Sequence, residues 1–270
     1  MEAVEKVNRT LWKRASIAAE YRKEIDLRPA EQAIVNGLMA QRTFRAVLDI
    51  GIGAGRTTGP LSQLGERYVG IDYSSVMIDL ARQAHPGHDL RCMEATDMSD
   101  FDDKSFDLVW FSFNGIDCAS HQARLHIFSE VRRVLADDGF FVFSSHNRDA
   151  AQIPAHDLRN LRRSWNPLRM IRHLGGYVIK NINASRMRRR ETHMTDYAIL
   201  SDAAHRYGLL LYYISPWAQI EQLTQSGLRV ERMMGLDGTP VEPNSTRDHS
   251  WIHYVCCPAF ENTPTADARG

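Results

Sequence analysis

Three groups of residues could carry chemistry in this chain: the run Val47-Leu48-Asp49-Ile50-Gly51-Ile52-Gly53-Ala54-Gly55, the acid Asp72, and the pair His146-Asn147. In the first, an apolar run ends in an acid and then in alternate glycines, which let a backbone turn tightly and approach a ligand closely. A phosphate-binding P-loop is excluded, because it needs Lys-Ser/Thr after its last glycine and Gly55 is followed by Arg56-Thr57-Thr58. A dinucleotide fingerprint needs G-x-G-x-x-G, and the spacing here is G-x-G-x-G. Asp49, two residues before the first glycine, disfavours a phosphate and suits an ammonium group. A second apolar run, Tyr68-Val69-Gly70-Ile71-Asp72-Tyr73, ends in another acid. About twenty residues past a glycine loop, such a carboxylate can accept from both ribose hydroxyls and repels a 2′-phosphate.

A nucleoside ligand with an ammonium group and no phosphate describes S-adenosylmethionine. The chain resembles the class I S-adenosylmethionine-dependent methyltransferases, of the kind that act on small molecules. The resemblance rests on the glycine loop, Asp72, Ala95-Thr96-Asp97-Met98, Phe106-Asp107-Leu108-Val109-Trp110-Phe111 and Val131 to Phe143, over roughly residues 46 to 145. It implies an α/β fold with a doubly wound, mostly parallel seven-stranded sheet, Rossmann-like, and S-adenosylmethionine as cofactor. It also implies that Asp97 accepts from the adenine amino group, with Met98 and Met77 flanking the base, and that a leading helix folds over the cofactor with Tyr21 and Trp12 as lid residues. Packing of these aromatics on the domain is the competing reading. Gly51, Gly53, Gly55, Asp49, Asp72 and Tyr73 complete the expected cofactor set, with Phe111 and Ser112 at its methionine end.

Methyl transfer needs mainly in-line approach of a nucleophile, so positioning dominates. A hydroxyl or amine must also lose a proton, and histidine is the side chain suited to taking one near neutral pH. His146 follows the strand Phe143-Ser144-Ser145 and is the candidate base. An orienting donor, or a polar group satisfying the strand end, would occupy the same place. Asn114, His146, Asn147 and Tyr213 are the expected acceptor-binding residues, while His121 and His205 suit surface or packing positions. The fourth-strand loop Phe113-Asn114-Gly115-Ile116 lacks the Asp/Asn-Pro-Pro-aromatic signature of relatives that methylate nucleobase or glutamine amino groups. That counts against DNA and protein-glutamine acceptors.

The elements that must position these residues are legible as alternating apolar runs. Strands are expected at 46–50, 67–72, 89–94, 106–112 and 140–145, with helices after Gly55, at Ser75 to Ala84 and through Leu125, Phe128, Val131 and Leu135. Such alternation implies right-handed crossovers, a parallel sheet and a ligand beyond the carboxyl ends of its strands. Five segments follow: a helical lid over 1–45, with a second helix starting at Pro29; a cofactor-binding core over 46–147; an inserted substrate lid over 148–214; completion of the sheet over 215–258; and a mobile tail over 259–270. In the last sheet segment, Ser215 caps and Pro216 starts a helix. Strands 228–234 and 250–257 follow it, the final one antiparallel.

The insert is read as helices plus a hairpin, Tyr197-Ala198-Ile199-Leu200 pairing with Leu209 to Ile214. It is rich in arginine. Either Met187 to Arg190 and their neighbours bind an acidic group or a nucleic-acid backbone, or they form a solvated face. Tyr197, Tyr207, Tyr212 and Tyr213 line an acceptor pocket or cover the hairpin. Thirty-three basic residues balance thirty-three acidic ones, so there is no global field for nucleic acid or an anionic membrane. There is no apolar stretch of membrane-span length and no signal-peptide apolar region, which leads to the expectation of a cytoplasmic protein without a membrane partner. Cys92, Cys118, Cys256 and Cys257 show no C-x-x-C and no histidine at metal spacing, so neither a disulfide nor a metal site is expected. The expected activity is methylation of a hydroxyl or amine on a sugar or secondary metabolite. The alternatives are an RNA methyltransferase using the basic insert and a cofactor-binding partner subunit without catalysis. A homo-oligomer is compatible with all three.

Overall fold

Residues alternate between two faces in the central strands, and this alternation builds one sheet with a core on each side. Leu48, Ile50, Val109, Phe111, Phe141 and Phe143 enter one core, whereas Val47, Leu108, Trp110 and Val142 enter the other. Each such side chain, buried almost completely, contributes roughly 1.5–3 kcal/mol. The computed structural model describes residues 3–12, 26–150, 157, 161, 164–202 and 207–259. Tyr21, His205 and the tail beyond 259 lie outside these residues, as does the side chain of Trp12.

In chain order the elements are α1 (Ala3–Trp12), α2 (Pro29–Met39), β1 (Phe44–Ile50), α3 (Thr58–Ser62), β2 (Gly65–Asp72), α4 (Ser75–Ala84) and β3 (Asp89–Cys92). Then come β4 (Phe106–Phe111), a short 3-10 turn (Gly115–Cys118), α5 (His121–Val134), β5 (Leu135–Asn147), α6 (Pro167–Met187), β6 (Thr192–His193), β7 (Tyr197–Ser201) and β8 (Leu210–Ile214). The chain closes with α7 (Pro216–Gln225), β9 (Leu228–Gly235) and β10 (Trp251–Pro258). Side-chain caps start the helices where expected: Ser74 Oγ accepts from Met77 N, and Ser215 Oγ from Ala218 N ahead of Pro216.

Strands β3, β2, β1, β4 and β5 pair in that order and in parallel. Antiparallel β10 continues from β5 and pairs with β9, completing the seven strands expected. The sheet has ten strands, because the hairpin of the insert is not a separate layer. β7 pairs antiparallel with β8, and β8 joins β5 in parallel at His146 and Asn147. One edge of His146 pairs with Trp251 of β10, so β8 takes the opposite edge, beyond the point where β4 ends. β5 runs from Leu135 to Asn147, and its last residues extend beyond Phe143, the partner of β4's final residue Phe111, which carries His146 to the rim. Among the described residues no helix is long and apolar enough to cross a membrane.

Candidate active site

The turn after β1 is shaped by backbone that only glycine adopts freely, with φ of 67° at Gly51, 55° at Gly53 and 93° at Gly55. Amides of Gly51 and Ile52 donate to the Ile71 carbonyl at 2.7 and 3.2 Å, tying the turn to β2. A methyl group at Gly51 would sit 2.6 Å from the Phe111 ring, while one at Gly53 would meet nothing within 4 Å. Gly51 is therefore required by the protein's own packing, and Gly53 faces open space.

That space is a cavity of about 470 Å³ at the carboxyl ends of β1, β2 and β4, within the ~300–1,000 Å³ typical of ligand pockets. Asp72 stands in its wall. Its Oδ2 accepts from Gly53 N at 2.9 Å and its Oδ1 from Ser74 N at 2.8 Å, so each oxygen keeps capacity for a further donor. Burial pushes this carboxyl up to about 6 against the pull of the Ser74 and Gly53 amides. Tyr73 and Met77 line the same wall, and burial also raises the Tyr73 phenol. Phe111, Ser112, Asn114 and His146 form the far end.

Six expected site residues do not reach the cavity. Asp49 is wholly buried behind the turn, where its Oδ2 accepts from Thr57 Oγ1 at 2.6 Å and from the Tyr68 hydroxyl at 2.8 Å. Burial lifts it to about 7 despite these donors, and it braces the loop from within without lining the cavity. Gly55 packs on His85 and Ala81. Asp97 points to solvent, its Oδ1 accepting from Ser99 N, and Met98 fills the core. Asn147 spends its amide on the carbonyls of Thr246 and His249. Tyr213 packs against the outer side of the His146 ring, with centroids 4.8 Å apart, and its hydroxyl donates to Asp202. Of the other tyrosines, Tyr197 and Tyr212 stack with His121 instead of lining the cavity.

Residues missed in the sequence replace them. Glu94, three positions before Asp97, lines the cavity with Ala95 and Thr96. Its carboxylate accepts from both terminal nitrogens of Arg9, at 2.6 and 2.7 Å. α1 is thus seated across the mouth, and buried Asn8 fixes it by donating to the Leu210 and Cys118 carbonyls and accepting from Leu210 N. Alternation along β8 brings Leu209 and Leu211 to the cavity, and Trp251 of β10 closes one side. Arg56, behind Ser112, forms a bidentate pair with Glu31; burial alone would raise that acid, but the arginine holds it below its usual range.

His146 belongs to a buried network that the sequence did not disclose. Asp117 Oδ2 lies 2.6 Å from His146 Nδ1 and accepts from the His146 amide at 2.7 Å. The other oxygen accepts from Arg124 at 2.6 Å and from Ser145 Oγ at 2.7 Å. Arg124, with no exposed side-chain surface, also donates to Gln219, Gln222 and Ser145. The carboxylate partner assigns the proton to Nδ1 and leaves Nε2 as acceptor. Asn114 Nδ2 is 3.2 Å from Nε2 and 3.4 Å from Nδ1, too even a spacing to lie on the Nε2 lone pair. Asn114 Oδ1 is buried with no hydrogen-bond partner among the described residues, an acceptor that a ligand donor would satisfy.

The residues fit an adenosyl amino acid: a carboxylate with spare acceptor capacity on both oxygens, an unobstructed glycine beside it, apolar side chains and an unsatisfied acceptor at the far end. Residues 48–143 match the family model described as a methyltransferase domain. No curated protein matches the sequence. Among solved structures, the CcbJ methyltransferase from Streptomyces caelestis is 17% identical, with 90% of this chain and 96% of that one covered and a TM-score of 0.58. A 1,6-didemethyltoxoflavin-N1-methyltransferase from Burkholderia thailandensis, solved with 1,6-didemethyltoxoflavin and S-adenosylhomocysteine, is 12% identical over 96% of this chain and 89% of that one, with a TM-score of 0.58. A methyltransferase from Haloferax volcanii, solved with the Trm112 activator, is 14% identical over 96% and 99%, with a TM-score of 0.56. At such identities the likeness is one of fold.

Proposed function

We propose that this chain, whose residues 48–143 match a methyltransferase-domain model, is a class I S-adenosylmethionine-dependent methyltransferase that methylates a small molecule at a hydroxyl or amine. The enzyme's cofactor is S-adenosylmethionine, which supplies when bound an electrophilic methyl group on a sulfonium. Asp72 holds the ribose hydroxyls, the Gly51–Gly53 turn takes the amino-acid end, Tyr73 and Met77 flank the nucleoside, and Glu94 with Thr96 meets the edge of the base. Residues 148–214 act as the acceptor lid through β8, and residues 1–45 cover the mouth through α1.

The observation that carries the small-molecule reading is the wall of the cavity. Its far end combines His146, set by Asp117, with apolar Phe111, Leu209, Leu211 and Trp251, under α1. Such a wall excludes water and orients an acceptor, which is most of what the reaction asks of a protein. His146 Nε2 takes the proton of the reacting hydroxyl or amine, while Asn114 Oδ1 accepts from a second donor on the acceptor. The Burkholderia enzyme of like fold, bound to a small heteroaromatic molecule, supports the same reading.

The test uses methyl-labelled S-adenosylmethionine, the purified protein and two acceptor pools, a low-mass metabolite filtrate and total RNA. Label is expected in the filtrate. Label in RNA alone, or in neither pool, would overturn the proposal.

A further inference from the structure

α6 wears its apolar face outward. Met170, His173, Tyr177 and Asn181 are the half-buried side of this 21-residue helix, which has no fully buried residue. Leu168, Ile171, Leu174, Val178 and Ile182 recur at three- and four-residue spacing on the adjoining side, and all are exposed, Leu168 to 74% and Ile171 to 68%. The stripe from Leu168 to Ile182 is about 21 Å long at 1.5 Å per residue. Trp165, fully exposed, stands just before its start.

Charge says what covers this face. From Ser164 to Arg190 there is no Asp or Glu, whereas Arg169, Arg172, Lys180, Arg186 and Arg188 to Arg190 are all basic, in a chain whose charges balance only when these are counted. Overall neutrality, which led to the expectation of no membrane partner, conceals this local concentration. A second copy apposing the same face would bring two acid-free basic helices together without compensation. Nucleic acid would meet the arginines but leave the aliphatic stripe in water. An anionic bilayer satisfies both features at once, taking the apolar stripe into the acyl boundary and the arginines onto phosphate.

We propose that α6 is an interfacial anchor that lays the protein on an anionic phospholipid surface. The helix lies in the plane of the interface, with Ile171, Val178 and Ile182 below the headgroups and Arg172 and Arg186 among them. This inference is independent of the acceptor and of methyl transfer.

The test is flotation of the full-length protein with vesicles of phosphatidylcholine alone or mixed with phosphatidylglycerol, at low and high salt. The protein is expected to float with the mixed vesicles at low salt and not with neutral ones. Ile171→Asp/Val178→Asp should abolish flotation, and Arg169→Gln/Arg172→Gln should weaken it roughly 20- to 30-fold, two headgroup charges having been removed. Both variants alter exposed side chains, so their thermal shift with S-adenosylhomocysteine should equal that of the unaltered protein. No preference for anionic vesicles would overturn the proposal, as would undiminished flotation of the Ile171→Asp/Val178→Asp variant. So would a dimer in solution that this variant converts to monomer while the unaltered protein ignores vesicles.

Discussion

Asp72→Asn gives a direct reading of how the site holds its cofactor. In the free protein the two Asp72 oxygens accept from the Gly53 and Ser74 amides, and burial holds the carboxyl up to about 6. Ribose hydroxyls donate to the ionised form, so below about pH 6 binding must first displace a proton. Affinity for S-adenosylhomocysteine should be level above about pH 7 and fall by nearly tenfold per pH unit below about 6. Asparagine keeps one acceptor and turns an N–H toward one of the two amides, losing a charge-assisted bond worth about 2–3 kcal/mol. That corresponds to about 30- to 150-fold weaker binding, with the pH slope gone. Calorimetric titration of both proteins between about pH 5 and 8 reads both effects. A variant within about threefold of the unaltered protein, or one that keeps the slope, would refute the reasoning.

His146→Gln should lower turnover about 100-fold or more while leaving cofactor affinity nearly unchanged, and unaltered turnover would remove His146 from the mechanism. Asp117→Asn leaves Arg124 buried beside a neutral partner; urea unfolding should show a loss of about 3 kcal/mol or more, and a loss under about 1 would mean the pair is not a structural keystone. Asp49, at about 7 in the folded protein against about 4 unfolded, binds its proton more tightly when folded. Its contribution to the apo protein is therefore full below about pH 4 and declines as pH rises toward 7, by a few kcal/mol. Melting curves of Asp49→Asn should lack that decline, and a steeper decline in the variant would contradict the assignment.

The core was legible because its signals are local. Strand ends, the glycine turn, Ser215 as a cap and Pro216 as a first-turn residue follow from periodicity and backbone preference within a few residues. The site was legible only where backbone fixes it: Gly51, Gly53, Asp72 and Tyr73 sit where a strand ends, and His146 where β5 overruns its neighbours. Asp97 lies outside the cavity that Glu94 lines; both fit a strand-end pattern, and only the path after β3 decides which faces it. Asp49 was read as ligand-facing because a sequence does not show that Tyr68 and Thr57 converge on it. Arg9 with Glu94, Asn8 with Leu210, and Asp117 with Arg124 and Gln219 depend on which distant elements meet, and no spacing encodes that. The insert was read for its arginines and its hairpin; only the fold shows an apolar stripe on α6 that faces out.

The central claim is that the cavity beside the first turn holds an adenosyl amino acid with its sulfur toward His146. A crystal structure with S-adenosylhomocysteine tests it most directly. The account predicts both ribose hydroxyls at about 2.6–3.0 Å from the Asp72 carboxylate, with the sulfur opening onto the chamber walled by Asn114, His146 and Leu211. A nucleoside bound elsewhere, or Asp72 left without a ribose partner, would contradict it.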